Sequence, residues 1–350
     1  MPKLDDFTRR RFLTLAAGAL AGSTVGEAFA QTRPDLSAIR TRADWQRAQK
    51  QILEGMQLVM GKLTRFQNRE VGMEWYEESA QEELPLFYRK KIRYQAAPDD
   101  YVPAYLLVPK KLKSKAPAML CLHQTIKIGK GEPAGLGGSA NLQYAKELAE
   151  RGYVCIAPDY PYLGENNFDP YKNGYASCTM KGIVNHIRAV DLLQSLPMVD
   201  GKRIGSIGHS LGGHNTLFVA AFDQRIKAMV TSCGFTSAKK YYNGDLTGWA
   251  GVRYMPLIAE KYGKDPERIP FDFPELLAAL APRPLFINAP LRDGNFEVSG
   301  VRDCVAAAMP IYDKVFKAKE KLVALYPDAG HDFPPDVRRQ VWQFLDRWLG

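Results

Sequence analysis

A serine between two glycines is the first feature of this sequence that could do chemistry. Residues 203–214 read RIGSIGHSLGGH, which places Ser210 in a Gly-x-Ser-x-Gly frame with Gly208 and Gly212. A strand-like apolar run precedes the serine and a helix-like run follows it. A sharp strand-to-helix turn exposes a serine hydroxyl and tolerates only small residues two positions away. The pattern therefore predicts a nucleophile at Ser210 rather than an inert hydroxyl in a glycine-rich turn.

A serine hydroxyl is a weak nucleophile until a base takes its proton. The chain has five histidines. His331, in YPDAGHDF, stands between the last strand-like run and the last helix-like segment, where we expect the base. His209 and His214 flank the serine turn and are expected to pack against it or to face a substrate pocket. His186 lies within a helix-like run and is expected to be structural.

The base needs a carboxylate to orient it, and this acid should follow a strand between the serine and the histidine. Asp293, in PLFINAPLRDGNFE, meets that condition, and Glu297 is the rival four residues later. Asp328 and Asp332 lie too close to His331 in sequence to be the expected partner. We expect them to cap loops.

An acyl-transfer site also needs two backbone N–H groups directed at the developing oxyanion. Leu211 directly follows the serine and is expected to supply the first. The loop after the third strand-like run begins CLHQT, so Gln124 or Thr125 should supply the second, and the sequence does not decide between them.

The elements that position these residues alternate along the chain. Helix-like segments separate the later, short apolar runs, which is typical of a doubly wound, mostly parallel sheet covered on both faces. We therefore predict an α/β fold with eight strands. They span residues 87–96, 101–109, 117–123, 153–159, 203–209, 227–233, 284–290 and 321–327.

Two long insertions follow strand ends, at about 160–175 and 235–275, and are predicted to form pocket walls or a lid. Tyr160, Tyr162 and Trp249 are candidate pocket residues, although lid packing would explain them equally well. A polar, helical segment at 31–84 precedes the main domain, which is predicted to span 85–350.

The first thirty residues have the pattern of an export signal. A basic run at Arg9-Arg10-Arg11 precedes a mildly apolar stretch that ends in Ala28-Phe29-Ala30, a small-residue cleavage pattern. The run resembles a twin-arginine signal, which implies export of a folded bacterial protein through the twin-arginine machinery. We expect the mature protein to begin near Gln31 and to be periplasmic or secreted.

Composition excludes several other classes. The chain has 350 residues, of which 46% are hydrophobic, and it contains no apolar run long enough for a mature membrane span. The net charge is +9, but the basic residues are scattered and form no stripe interleaved with aromatics, so nucleic acid is not an expected partner. The five cysteines show no CxxC spacing, so a zinc site is not expected.

Taken together, the segments CLHQT, APDYPYLGE, GHSLGG, LFINAPLRD and DAGHDF resemble the α/β-hydrolase superfamily, and most closely its branch of dienelactone hydrolases and acetyl-xylan-esterase-like proteins. The resemblance covers residues from about 85 to the end. It implies ester hydrolysis without a metal or organic cofactor. Two positions depart from relatives: dienelactone hydrolases use a cysteine where Ser210 stands, and glucuronoyl esterases place arginine where Leu211 stands.

The expected function is an exported serine esterase with Ser210, His331 and Asp293 as its triad, acting on small-molecule or polysaccharide esters of sugar, xylan-type or aromatic groups. One alternative is a prolyl-oligopeptidase-like peptidase; against it, the segment before the hydrolase region is too short for a propeller. The other is a binding protein that keeps the hydrolase fold without catalysis.

Overall fold

The computed structural model describes residues 32–64, 73–112 and 114–350. The predicted export signal lies outside these residues. Within them, no helix combines the length and apolar character that crossing a bilayer requires.

The centre of the fold is one sheet of ten strands. All eight predicted strands are present, with ends shifted by at most a few residues. The two extra strands are short and largely exposed, and they pair antiparallel with the first long strand. They carry no run of apolar residues, which is why the sequence pattern did not indicate them. The strands are β1 (Trp75–Glu77), β2 (Glu82–Glu83), β3 (Phe87–Ala97), β4 (Asp100–Pro109), β5 (Ala116–Leu122), β6 (Val154–Pro158), β7 (Val199–His209), β8 (Ile226–Ser232), β9 (Leu285–Asn288) and β10 (Leu322–Leu325).

The strand order is β1-β3-β4-β6-β5-β7-β8-β9-β10, with β2 beside β3. Strands β1, β2 and β4 pair antiparallel with β3, and β4 also pairs antiparallel with β6. All pairs in the rest of the order, from β6–β5 to β9–β10, are parallel. Parallel strands end at the same edge of a sheet. The residues that follow β5, β7, β9 and β10 are therefore brought together.

Helices cover both faces of the sheet. Ala118, Leu120 and Leu122 of β5 lie in one apolar cluster, and the alternating Met119 and Cys121 lie in another on the opposite face. The second cluster includes buried residues of α2 and α8, and the first includes those of the other helices. The helices are α1 (Arg42–Met60), α2 (Tyr144–Glu150), α3 (Cys178–Ser195), α4 (Leu211–Phe222), α5 (Leu257–Glu260), α6 (Phe273–Leu280), α7 (Val298–Pro310) and α8 (Pro335–Leu349).

The N-terminal extension packs on the main domain. A capping box between Thr41 and Asp44 starts α1, which satisfies amide groups at the helix end. The indole of Trp45 donates to the carbonyl of Ala278, and the amide of Gln49 donates to that of Ala279. These hydrogen bonds join α1 to α6, and the buried side chains of α1 belong to the larger of the apolar clusters. The described residues between 32 and 350 belong to one compact unit.

Candidate active site

Ser210 stands at the turn between β7 and α4 with φ of 54° and ψ of −118°. A positive φ is strained for a serine and marks the sharp turn that the sequence predicts. The neighbouring glycines are required sterically. A Cβ on Gly208 would lie 2.1 Å from the carbonyl oxygen of Gly212, and one on Gly212 would lie 1.8 Å from that of Leu122. The amide of Ser210 donates to the carbonyl of Ser232 at 2.8 Å, which fastens the turn to β8.

His331 and Asp293 are brought together from loops after β10 and β9. Nδ1 of His331 lies 2.9 and 3.0 Å from the two carboxylate oxygens of Asp293. A carboxylate only accepts, so Nδ1 carries the proton and Nε2 keeps the lone pair needed by a base. His331 and Ser210 line the same cavity.

The Asp293 carboxylate is held ionised. Its side chain is only 1% exposed, and this burial opposes ionisation. The hydrogen bond from His331 and those from the amides of Asn295 and Phe296 outweigh burial and lower the pKa of Asp293. Its rival Glu297 is exposed and bonds to Ser299.

The two acidic residues beside His331 were expected to cap loops, and their carboxylates contact other side chains. Asp328 pairs with Arg292, and Asp332 accepts from the side chain of Asn141 at 2.8 Å. Neither contact involves the His331 ring.

His209 lies behind His331 rather than on the cavity. Its ring is buried and meets the His331 ring edge-on, with centroids 4.7 Å apart. Its Nδ1 is 2.9 Å from the hydroxyl of Ser232, and its Nε2 has no hydrogen-bond partner among the described residues. Burial, followed by the proximity of His331, lowers the pKa of His209 to about 3. A neutral ring thus packs against His331 from behind.

The three expected oxyanion donors lie on the cavity. Leu211, Gln124 and Thr125 all line it, and no hydrogen bond between described residues occupies their amide N–H groups. The side chains at the last two positions are fixed. The Gln124 amide donates to both carboxylate oxygens of Glu132 at 3.1 and 3.0 Å, and the Thr125 hydroxyl lies 2.9 Å from that of Tyr254. This loop is therefore held at both residues.

The cavity has a volume of about 330 Å³ and aromatic walls. Tyr241 and Trp249 from the long insertion stack with centroids 4.0 Å apart at 11°. Phe296 forms another part of the wall and lies 6.0 Å from the His331 ring centroid. Lysine, arginine, aspartate and glutamate are missing from its described lining. The site thus suits an uncharged group.

Of the residues for which a pocket role was considered, Trp249 and His214 line the cavity, whereas His209, Tyr160 and Tyr162 do not belong to its described lining. Tyr160 is 2% exposed and packs in a small cluster with Leu211, and Tyr162 is on the surface away from the described lining. Tyr160 instead holds the loop after β6, since its amide donates to Nε2 of His123 at 3.0 Å. Residue type alone does not tell which ring of an insertion faces inward.

Sequence reasoning missed several residues that line the same cavity as the serine, among them Tyr254, Asn295 and Phe296. Tyr254 belongs to the aromatic-rich insertion, and the other two lie two and three residues after the predicted acid. Their closeness to Asp293 and to the insertion was the available signal. Their orientation depends on tertiary contacts that periodicity does not encode.

Three side chains that could ligate a metal lie close together, and His331 is one of them. Atoms of His209, Cys233 and His331 lie within 4.8 Å of one another. Hydrogen bonds already hold Nδ1 of each histidine, to Ser232 and to Asp293. Burial raises the pKa of the Cys233 thiol well above its usual value, which disfavours the thiolate that binds metals. The two histidines therefore keep only their Nε2 atoms for a ligand, and a thiol whose ionisation is opposed by burial is a poor third ligand.

A mostly parallel sheet, a serine on a strained strand-to-helix turn, and a histidine–aspartate pair on later strand ends define an α/β-hydrolase-like protein. The comparison with family models is more specific. The chain belongs to the prolyl oligopeptidase family, whose model matches residues 139–350.

One curated relative matches most of the chain, and two others match shorter stretches. The Bacillus subtilis protein YtaP, whose name classes it as a hydrolase, is 26% identical over 71% of this chain and 83% of its own length. Two further curated relatives, PA2218 of Pseudomonas aeruginosa and YcjY of Escherichia coli, match over only 33% and 37% of their lengths.

Among solved structures, a glucuronoyl esterase from Solibacter usitatus superposes with a TM-score of 0.69 at 17% identity, covering 89% of this chain and 94% of that one. Acetyl xylan esterase 1 from Thermoanaerobacterium superposes with a TM-score of 0.58 at 15% identity, covering 92% and 96%. At this identity the likeness establishes the fold.

Proposed function

We propose that this protein is an exported serine esterase that cleaves carboxylic esters of sugar, xylan-type or aromatic groups. The observation that carries the proposal is the strained Ser210 turn on an aromatic-walled cavity that also contains His331, itself held by Asp293. Carbohydrate esterases with the same fold support an ester as substrate.

In the proposed mechanism, the Ser210 hydroxyl attacks the ester carbonyl while Nε2 of His331 takes its proton. Asp293 keeps the imidazole in the required tautomer and stabilises the imidazolium. The amide of Leu211, with that of Gln124 or Thr125, binds the oxyanion of the tetrahedral intermediate. His331 returns the proton to the leaving alcohol, which leaves an acyl-enzyme. Water, activated by the same histidine, then releases the acid and restores Ser210.

The lining of the cavity supports an uncharged substrate group near the serine. A charged carboxylate there would lose its hydration without an opposite charge to replace it, because the described lining contains no lysine or arginine. Leu211 occupies the position of the arginine noted in glucuronoyl esterases, so we expect a preference for neutral acyl and sugar groups.

A peptidase is the second candidate, because the family match is to prolyl oligopeptidases. The same triad chemistry would cleave an amide. The decisive experiment assays mature protein on nitrophenyl esters, acetylated xylo-oligosaccharides and prolyl amides in parallel, with Ser210→Ala as the negative control. The esterase proposal expects turnover of esters at least 100-fold above amides. The reverse preference would establish the peptidase. No turnover of any substrate, together with no labelling by a fluorophosphonate probe, would favour a binding protein.

Export is proposed from the residues before Gln31. We expect the protein, expressed in a bacterium with a twin-arginine pathway, to be recovered outside the cytoplasm with an N-terminus near Gln31. Replacing Arg9 and Arg10 together by lysine should keep it inside the cell. Export of that double variant at the original level would contradict the assignment.

A further inference from the structure

One nitrogen on the cavity wall has no role in the mechanism above. His214 lies in the first turn of α4, four residues after Ser210, and is one of the residues that line the cavity. Nδ1 lies 3.2 Å from the carbonyl oxygen of Gly234. A carbonyl only accepts, so Nδ1 carries the proton and Nε2 presents a lone pair. No hydrogen bond between described residues uses this Nε2.

The ring cannot turn to satisfy that nitrogen elsewhere. His214 is 4% exposed, and its ring packs against Phe218 with centroids 5.4 Å apart. A flip would place a C–H against the carbonyl of Gly234 and lose the existing hydrogen bond. Among the described residues, Nε2 of His209 is both sealed from solvent and without a hydrogen-bond partner. Nε2 of His214 also has no such partner, but it is not sealed from solvent. The accessible nitrogen is therefore a fixed acceptor on the cavity.

The protonation state supports this role. Burial lowers the pKa of His214 to about 4, and the hydrogen bond to Gly234 only partly opposes that effect. The ring is consequently neutral at ordinary pH and cannot pair with an anion as a cation would. It can only accept, and a hydroxyl is a suitable donor for it.

The neighbouring wall fits the same kind of ligand. The carbonyl oxygen of the Asn295 side chain accepts from the hydroxyl of Tyr242 at 3.0 Å, which leaves the amide N–H₂ as a donor. The aromatic residues Trp249 and Phe296 line the same cavity. Uncharged donors and acceptors among aromatic rings are the combination that binds a neutral, hydroxylated ring.

We propose that His214 is a specificity residue whose Nε2 accepts a hydrogen bond from a substrate hydroxyl on an uncharged sugar-like ring beside the ester. The inference rests on the proposed esterase function. A substrate without that hydroxyl would leave the acceptor unpaired in a partly dry cavity, which lowers its transition-state binding. An ordinary hydrogen bond contributes enough for about a ten-fold preference.

The test compares two esters within each enzyme: an acetylated xyloside with a free hydroxyl next to the ester, and its deoxy analogue. The quantity is the ratio of their kcat/KM values, since general damage to the cavity lowers both together. We expect the natural chain to favour the hydroxylated ester about ten-fold and His214→Phe to abolish that preference. His214→Gln, whose side-chain amide can replace Nε2, should retain part of it.

The matched control is Val219→Ala, which removes buried packing from the same helix at a residue outside the described lining of the cavity. It should preserve the ratio while lowering the melting temperature. If His214→Phe keeps the preference, or if Val219→Ala abolishes it equally, the inference is wrong although the esterase remains. If no ester is hydrolysed by the natural chain, the proposed function fails first, and the two failures are thereby distinguished. If His214→Phe does not fold, the same kcat/KM ratio is measured for the natural chain and for His214→Gln. A ratio near one in the natural chain overturns the inference.

Discussion

The hydroxyl of Tyr254 lies 2.9 Å from Oγ1 of Thr125, so a residue of the long insertion bonds directly to the loop expected to complete the oxyanion hole. The Tyr254 backbone is itself held, because its carbonyl accepts from the amide of Thr179 on α3 at 3.3 Å. The insertion therefore fixes the loop as well as forming a wall of the cavity.

Removing that hydroxyl should impair turnover more than stability. Tyr254→Phe keeps the ring and loses one hydrogen bond, so Thr125 becomes freer and oxyanion stabilisation weakens. We expect kcat on a nitrophenyl ester to fall about five- to ten-fold, as one hydrogen bond implies. Tyr101→Phe, which removes a tyrosine hydroxyl bonded to exposed Glu74, is the control and should leave kcat unaltered. Equal kcat values for the two variants would mean that the contact is incidental.

Asp293 should matter through the tautomer of His331. In Asp293→Asn the amide can donate to Nδ1, which would move the imidazole proton to Nε2 and remove the base. We expect kcat to drop by about 10⁴-fold while the protein stays folded, as the equivalent change does in serine proteases. Steady-state kinetics and circular dichroism together measure this. Glu297→Gln is the control, since Glu297 is exposed and its carboxylate accepts a hydrogen bond from nearby Ser299. If that variant lost activity instead, Glu297 would be the acid.

The glycines around the serine should be intolerant of a single methyl group. In Gly208→Ala the new Cβ would lie 2.1 Å from a carbonyl oxygen, so the turn must distort or the protein must unfold. We expect a lower melting temperature and loss of most activity. Gly201→Ala on the same strand is the matched control, because its Cβ would meet only Gln194 at 3.4 Å. Similar behaviour of the two variants would show that the turn is more plastic than this structure implies.

Stability should fall in mild acid because of buried histidines. Burial lowers the pKa of His186 and of His209 to about 3 and that of His214 to about 4, from an ordinary value of 6.5. Above pH 6.5 these rings are neutral in both the folded and the unfolded chain, and their contribution is complete. Below it the unfolded chain takes up protons that the native state refuses, so the free energy of unfolding decreases.

Each such histidine can lower the free energy of unfolding by up to about 1.4 kcal/mol for each pH unit below 6.5, until the pH reaches the pKa of that histidine in the folded chain. The melting temperature should therefore drop between pH 7.5 and pH 5. The drop should be smaller in His186→Gln, which lacks one titrating ring. A melting temperature that is equal at both pH values would contradict this assignment.

Most of the framework, and the strand ends that carry the proposed triad, could be predicted because each of these residues ends or follows a short apolar run in the chain. Ser210, Asp293 and His331 end or follow β7, β9 and β10, and the pattern of buried parallel strands is strong in sequence. The short edge strands β1 and β2 were not predictable, since exposed residues such as Glu82 and Glu83 carry no periodic signal.

The rest of the site depends on contacts between distant segments. Thr125 and Tyr254 are 129 residues apart, and no local pattern records their hydrogen bond. Tyr160 and His209 have residue types suited to a pocket but are used for packing behind it. The direction of the His214 ring likewise follows from the carbonyl of Gly234, which only the fold brings near.

Labelling and kinetics at Ser210 test the central claim most directly. Mature protein should react with a fluorophosphonate probe at this residue, identified by peptide mass spectrometry, and should hydrolyse short nitrophenyl esters. Ser210→Ala should lose the label and at least 10³-fold in kcat/KM while melting normally, and Ser195→Ala, on a helix outside the cavity lining, should behave as the natural chain. A Ser210→Ala protein that still hydrolysed the ester at the original rate would contradict the account.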